Sequence, residues 1–468
     1  MTGARLALAV VVTALASAGW CLDDSRLPPQ ERVMQWVQEL CRTQHRRPGT
    51  PEGHRAERYL ADEFRRLGLQ DISVDPVDIQ VWQPRRWRLT VTTHGREHDI
   101  PCFYVPYTAF TSPQGINAPL VYLGEGAPEV IAATDLAGKI AVFDLRFGRL
   151  PLDALKSAAY HVQDPKGSFA PGEWQYATWV RPNWQAYDLA VKGGAAAVVW
   201  ILADQPTNVN TYYAPYDGQA KPLPGLYVGK YDGARLRELC AAGARGRFLL
   251  DGRARPGIMA NIIGTLPGPG DRSIIINSHH DSPFAGAIED ATGVACVLAL
   301  ASYYARLPEN QRPAKLVFCV TAGHFYGERG MENFLLSRRE GLIRNVSLAL
   351  AIEHVGAREF VERDGQWSPT GNLQSRALFV SAELAKAVVV AVAEEKLERT
   401  LVVPANALGD RPPGEGNMLY VMGLPFVQYI SGPTYLLVAD DTLDKVEPSA
   451  LLPVVRAVIR IIEDASQP

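Results

Sequence analysis

Cysteine is scarce in this sequence: six in 468 residues, at positions 21, 41, 102, 240, 296 and 319. No two of them form a CxxC pair, which excludes a zinc ribbon and a thioredoxin-like redox centre. An excess of one charge is also missing. A formal net charge of −3 leaves no electrostatic footprint for nucleic acid or for an anionic membrane surface. There is no low-complexity tract and, past the N-terminus, no apolar run that reads as a membrane span. What is present is ordinary globular composition, 47% hydrophobic and 21% charged, in a chain too long for a single typical core.

The N-terminus has its own texture. Arg5 precedes an apolar run from Leu6 to Leu15, followed by the small residues Ala16, Ser17 and Ala18. That order predicts a signal peptide over residues 1–18 and an exported mature chain, secreted or periplasmic, with no stable membrane span after cleavage. Trp20 immediately before Cys21 argues against lipoprotein processing.

Periodicity predicts helices over 28–40 and from about 55 to 67, flanking the loop HRRPGTPEGH. Two strands follow, over 72–81 and 87–92. From Ala118 the pattern changes to short βα units, with strands around DLAGKIAVFD and AAAVVWI and helices near 184–192 and 232–240. From about Asn261, strands and helices alternate: SIIINSHHD, a helix over 292–306 ended by Pro308, AKLVFCVTA, a helix over 331–339, LALAIE, LPFVQYI and a closing helix over 448–462. The fold class is therefore α/β, a mostly parallel mixed sheet covered by helices on both faces. Ligands of such sheets bind beyond the carboxyl ends of the strands. His279, His280, His324 and His354 occupy three such ends, with Asp281, Glu289, Asp290 and Glu353 close by.

The ordered motifs resemble the co-catalytic zinc aminopeptidase family. HRRPGTPEGHRAERYLADEF is similar to its N-terminal helix pair, and residues 118–254 look like its inserted protease-associated α/β domain. The flanking segments, 19–117 and 255–468, would form the peptidase-like domain. The family holds two zinc ions about 3.5 Å apart, as two-metal hydrolases do. Carried over residue by residue, His279 matches a zinc ligand and Asp281 the acid that orients it. Glu289 or Asp290 matches the bridging acid, and Glu353 a further ligand.

The second site departs from the family. His324 stands on the general-base position, Phe325 on a ligand position, and Leu436 and Leu437 where a histidine ligand is expected. The resemblance then implies a hydrolase of peptide or amide bonds with one zinc ion at most. His324 would be its base, and His280, His354 and Glu415 further site candidates. The alternative is a catalytically inactive homologue whose cleft binds a peptide or protein. Trp174, Trp179 and Trp184 with Tyr212, Tyr213 and Tyr216 form an aromatic stretch that would wall the cleft.

Overall fold

The computed structural model describes residues 22–179 and 184–466. The expected leader, with Cys21, lies outside the described residues. The peptidase-like half is built on a sheet in which Ser273–His279 lies centrally, parallel to Lys315–Thr321 on one side and to Val346–Ile352 on the other. Phe426–Ser431 continues it in parallel, followed by Arg376–Val380 antiparallel and Thr400–Pro404. Every residue of Ser273–His279 is buried, the apolar Ile274, Ile275 and Ile276 and the polar residues alike, as in a strand covered on both faces. The covering helix Thr292–Ala305 is buried almost all round, because Gln30–Leu40 and Leu451–Ala465 pack on its outer side.

Several expectations need revision. The two strands expected over 72–81 and 87–92 are one strand, Gln70–Thr93, paired antiparallel with the similarly long Arg245–Leu266. Pro84 sits at a bulge, where a missing backbone donor is tolerated. The second helix begins earlier than its apolar spacing indicates, at Pro51, because the Thr50 side chain accepts the Gly53 N–H and proline suits a first turn. The hairpin Arg358–Arg363 and Gln366–Leu373, the strands Arg376–Val380 and Thr400–Pro404, and the helix Ala385–Glu394 were not legible at all.

A smaller group of strands, Ile116–Tyr122, Ile140–Leu145, Ala197–Leu202, Gly225–Val228 and Cys102–Tyr104, joins the main sheet through Arg245–Leu266. Its last member lies before the boundary expected at residue 118. Conversely, His161–Gln163 leaves this group and pairs with Thr400–Pro404 at the far edge of the main sheet. Arg399 secures that crossing. Its buried guanidinium bonds the Ser168 carbonyl at 2.8 Å and pairs with Glu359 at 2.9 Å and with Glu173.

Cys296 and Cys319 are buried thiols, and among the described residues no cysteine is paired. Among these residues, too, no helix is long and apolar enough to cross a membrane. Replacing Arg399 by Met should cost about 2–4 kcal/mol, since it strands two part-buried carboxylates. Urea unfolding of the variant beside the parent protein measures this.

Candidate functional site

The parallel strands end together, and each end delivers a polar side chain. Ser273–His279 terminates in His279, Lys315–Thr321 leads through Gly323 to His324, and Val346–Ile352 leads to Glu353 and His354. Glu289 comes from the irregular turn Ala287–Ala291 that opens the helix Thr292–Ala305. All five side chains are buried.

The turn bearing Glu289 is fixed from two sides. Asp441 accepts the Ile288 and Glu289 N–H groups, both at 2.9 Å. Arg46, from the loop between the first two helices, donates to the carbonyls of His280 at 2.8 Å, Gly286 at 3.0 Å and Glu289 at 3.2 Å. It also reaches the Leu40 and Ala285 carbonyls. Five carbonyls around one planar cation tie the loop after the first helix to the stretch 280–289, far away in sequence.

Within this frame the imidazoles are oriented by their outer nitrogens. His279 Nδ1 lies 3.1 Å from the Asp281 carbonyl and His354 Nδ1 2.6 Å from the Ser431 carbonyl, so both rings carry their proton there. Each ring, when neutral, keeps a lone pair on Nε2. Glu353 is held by one oxygen only: Oε1 accepts the Glu415 N–H at 2.8 Å and the Gln428 amide at 3.1 Å.

The inward atoms are without hydrogen-bond partners among the described residues. His279 Nε2, His354 Nε2, Glu289 Oε1 and Glu353 Oε2 are all buried in this state. His279 Nε2 lies 3.2 Å from Glu289 Oε1, and His354 Nε2 3.0 Å from Glu289 Oε2, close but without hydrogen-bond geometry. A buried polar atom without a hydrogen bond costs about 1–3 kcal/mol, which the charge pairing of Glu289 with both imidazoles offsets in part. Two overlapping triads have ligand atoms within 4.8 Å of one another, His279–Glu353–His354 and His279–Glu289–His324. Imidazole nitrogens with carboxylate oxygens are a donor set that suits zinc, and the residues present fit such an ion.

Charge follows the same geometry. Burial disfavours charging His354, but Glu289 outweighs it and lifts the ring to about 9. Burial likewise opposes ionisation of Glu289, yet His354 and His279 hold its carboxyl well below the usual range. Burial pushes Glu328, on the pocket wall, up to about 8, with Glu415 adding to the effect.

Not every residue singled out in the sequence arrives in the cluster. Asp290 turns away: its oxygens take the Ser278 hydroxyl at 2.5 Å, the His354 N–H at 2.8 Å and the Gly293 N–H at 3.2 Å. It belongs to neither triad, and of the two adjacent acids Glu289 is the one that faces the imidazoles. His280 also points elsewhere, with Nε2 2.9 Å from the Ala260 carbonyl. Asp281 lies where it can orient His279: its carbonyl is 3.1 Å and its carboxylate 3.7 Å from Nδ1, and the carboxylate also accepts the N–H groups of His324 at 3.2 Å and Phe325 at 3.1 Å, shaping that turn. Glu415 does enter, joining His324 Nδ1 at 3.2 Å and the Thr321 hydroxyl at 2.8 Å. The His324 ring stacks on His279, centroids 4.1 Å apart. Arg46 and Asp441 were missed, because a buried arginine or aspartate serving backbone groups has no short-range sequence signal.

Beside the cluster lies a pocket with about 790 Å³ of empty space, mouth included. Glu289, His324, Glu353 and His354 form its polar end, and Leu152, Leu155, Phe379, Leu401, Leu408 and Ile430 line its apolar part. Leu436 and Leu437 contribute to the wall, and Phe325 is buried beside His324. From the aromatic stretch, Trp179 and Tyr216 line the pocket, whereas Tyr212 and Tyr213 are buried and Trp174 is exposed.

Residues 261–396 match peptidase family M28, bearing out the resemblance carried by the ordered motifs. No curated protein sequence matches the chain. Among solved structures, a zinc aminopeptidase from Bacillus subtilis is 16% identical with a TM-score of 0.70, covering 94% of this chain and 96% of its own. An aminopeptidase from Aneurinibacillus sp. strain AM-1 is 20% identical with a TM-score of 0.63, covering 94% of each chain. A peptidase M28 precursor from Shewanella amazonensis SB2B is 18% identical with a TM-score of 0.68, covering 94% and 97%. At these identities the three share the fold.

Arg46→Lys should lose most of the five carbonyl contacts, because a point charge cannot reproduce the planar fork. A loss of about 3 kcal/mol is expected in urea unfolding; an unchanged midpoint would remove Arg46 from its organising role.

Proposed function

With peptidase family M28 as the family that residues 261–396 match, we propose that this protein is an exported hydrolase of peptide or amide bonds using a single zinc ion. The observation that carries this reading is the pair of overlapping buried triads, His279–Glu353–His354 and His279–Glu289–His324, whose ligand atoms lie within 4.8 Å of one another beside a pocket. His279, Glu289 and Glu353 would hold the ion. An ion there would supply Lewis-acid polarisation of a substrate carbonyl.

The protein's own groups do the rest. Glu415 fixes one nitrogen of His324, leaving the other to take a proton from the attacking water and return it to the leaving amine. Gln428 and the Glu415 N–H hold Glu353 by one oxygen and so aim the other inward. Leu436, Leu437 and Phe325 exclude water from one side and offer no donor atoms for a second ion, which supports a count of one. Residues 118–254 serve as the protease-associated insert, with Trp179 and Tyr216 on the pocket wall. The leader over 1–18 carries the chain out of the cytoplasm.

A second reading, a cleft that binds peptide without cleaving it, draws support from the largely apolar pocket. Metal analysis and hydrolysis of chromogenic aminoacyl amides separate the two. The enzyme predicts about one equivalent of zinc per chain, lost together with activity in His279→Ala. It also predicts a fall in kcat on the order of 10²–10⁴-fold in His324→Ala. Absence of metal and of turnover would leave only the binder. N-terminal sequencing of protein recovered outside the cytoplasm should begin at or near Gly19; a mature chain still carrying Arg5 would sink the export proposal.

A further inference from the structure

His354 is not one of the three ligands assigned above, yet its backbone is arranged as if its ring position mattered. Its φ is +56°, in the left-handed region that a histidine occupies only at a cost. Three contacts hold it there. Its N–H donates to Asp290 Oδ1 at 2.8 Å, its carbonyl accepts the Ser431 hydroxyl at 2.8 Å, and its Nδ1–H meets the Ser431 carbonyl at 2.6 Å. The strained turn sends Nε2 into the cluster, where it is buried and lies 3.0 Å from Glu289 as a charge pair without hydrogen-bond geometry.

We propose that His354 is a metal ligand, completing with His279 and Glu353 the triad whose donor atoms lie within 4.8 Å of one another, and that His324 stays outside the coordination shell. The inference rests on the one-metal reading above. It also accounts for Asp290, whose carboxylate is a positioning residue that pins the His354 backbone instead of binding the ion. The two triads are thereby distinguished. His279, Glu353 and His354 each present a buried donor atom with no hydrogen-bond partner among the described residues, a condition His324 does not share.

The test is zinc affinity, measured on the full mature chain by competition with a chromophoric chelator, together with the visible spectrum of the cobalt-loaded protein. His354→Ala should weaken zinc binding on the order of 100-fold or more, since even residues behind the ligands cost 10–100-fold. It should also alter the cobalt spectrum. His324→Ala should keep wild-type affinity and spectrum while losing turnover. X-ray absorption of the zinc-loaded wild type, which needs no variant to fold, should count two imidazoles, and the same two in His324→Ala. Unchanged zinc affinity in a folded His354→Ala, or one imidazole in the wild type, overturns the assignment while leaving the one-metal reading intact. Failure of the wild type to bind zinc or cobalt overturns both.

Discussion

The structure depends on how buried carboxylates are satisfied where the central strands end. Asp281, Asp290 and Asp441 are all enclosed, and each is answered by backbone N–H groups: those of 324 and 325, those of 293 and 354, and those of 288 and 289. These bonds bend the chain at three successive strand ends and hold the bends still. Glu289 and Glu353, one methylene longer, reach past the backbone and keep an oxygen free. The difference between acids that build the site and acids that face its centre is thus a difference in which groups have already found partners.

This explains what the sequence could and could not reveal. The alternation of strand and helix after Asn261 was legible because fully buried strands and a covered helix leave long apolar runs with clear ends. The histidines and acids at strand ends were legible as a group for the same reason. Their individual roles were not. Glu289 and Asp290 are neighbours with the same charge, and only the folded turn decides which one looks inward. His354 read as an extra because a left-handed histidine has no sequence signature. Arg46 lies some 230 residues from the carbonyls it gathers, beyond any local pattern. The short strands between 358 and 404 failed for a different reason: five residues of β-branched and aromatic side chains are too few to separate from a buried helix turn.

The pocket joins these two parts. Its polar end is made by residues that the family resemblance placed in advance, and its apolar part by segments whose structure was illegible, from Leu152 and Leu155 to Leu401 and Leu408. The resemblance therefore bears on the polar end alone, while most of the apolar part is lined by residues that carry no such resemblance.

The strand His161–Gln163, laced into the far edge of the main sheet and locked by Arg399, has one more bearing. The segment that brings Leu152 and Leu155 to the pocket wall is tied by that pairing to the strand that brings Leu401, so two parts of the apolar wall far apart in sequence share one set of backbone hydrogen bonds.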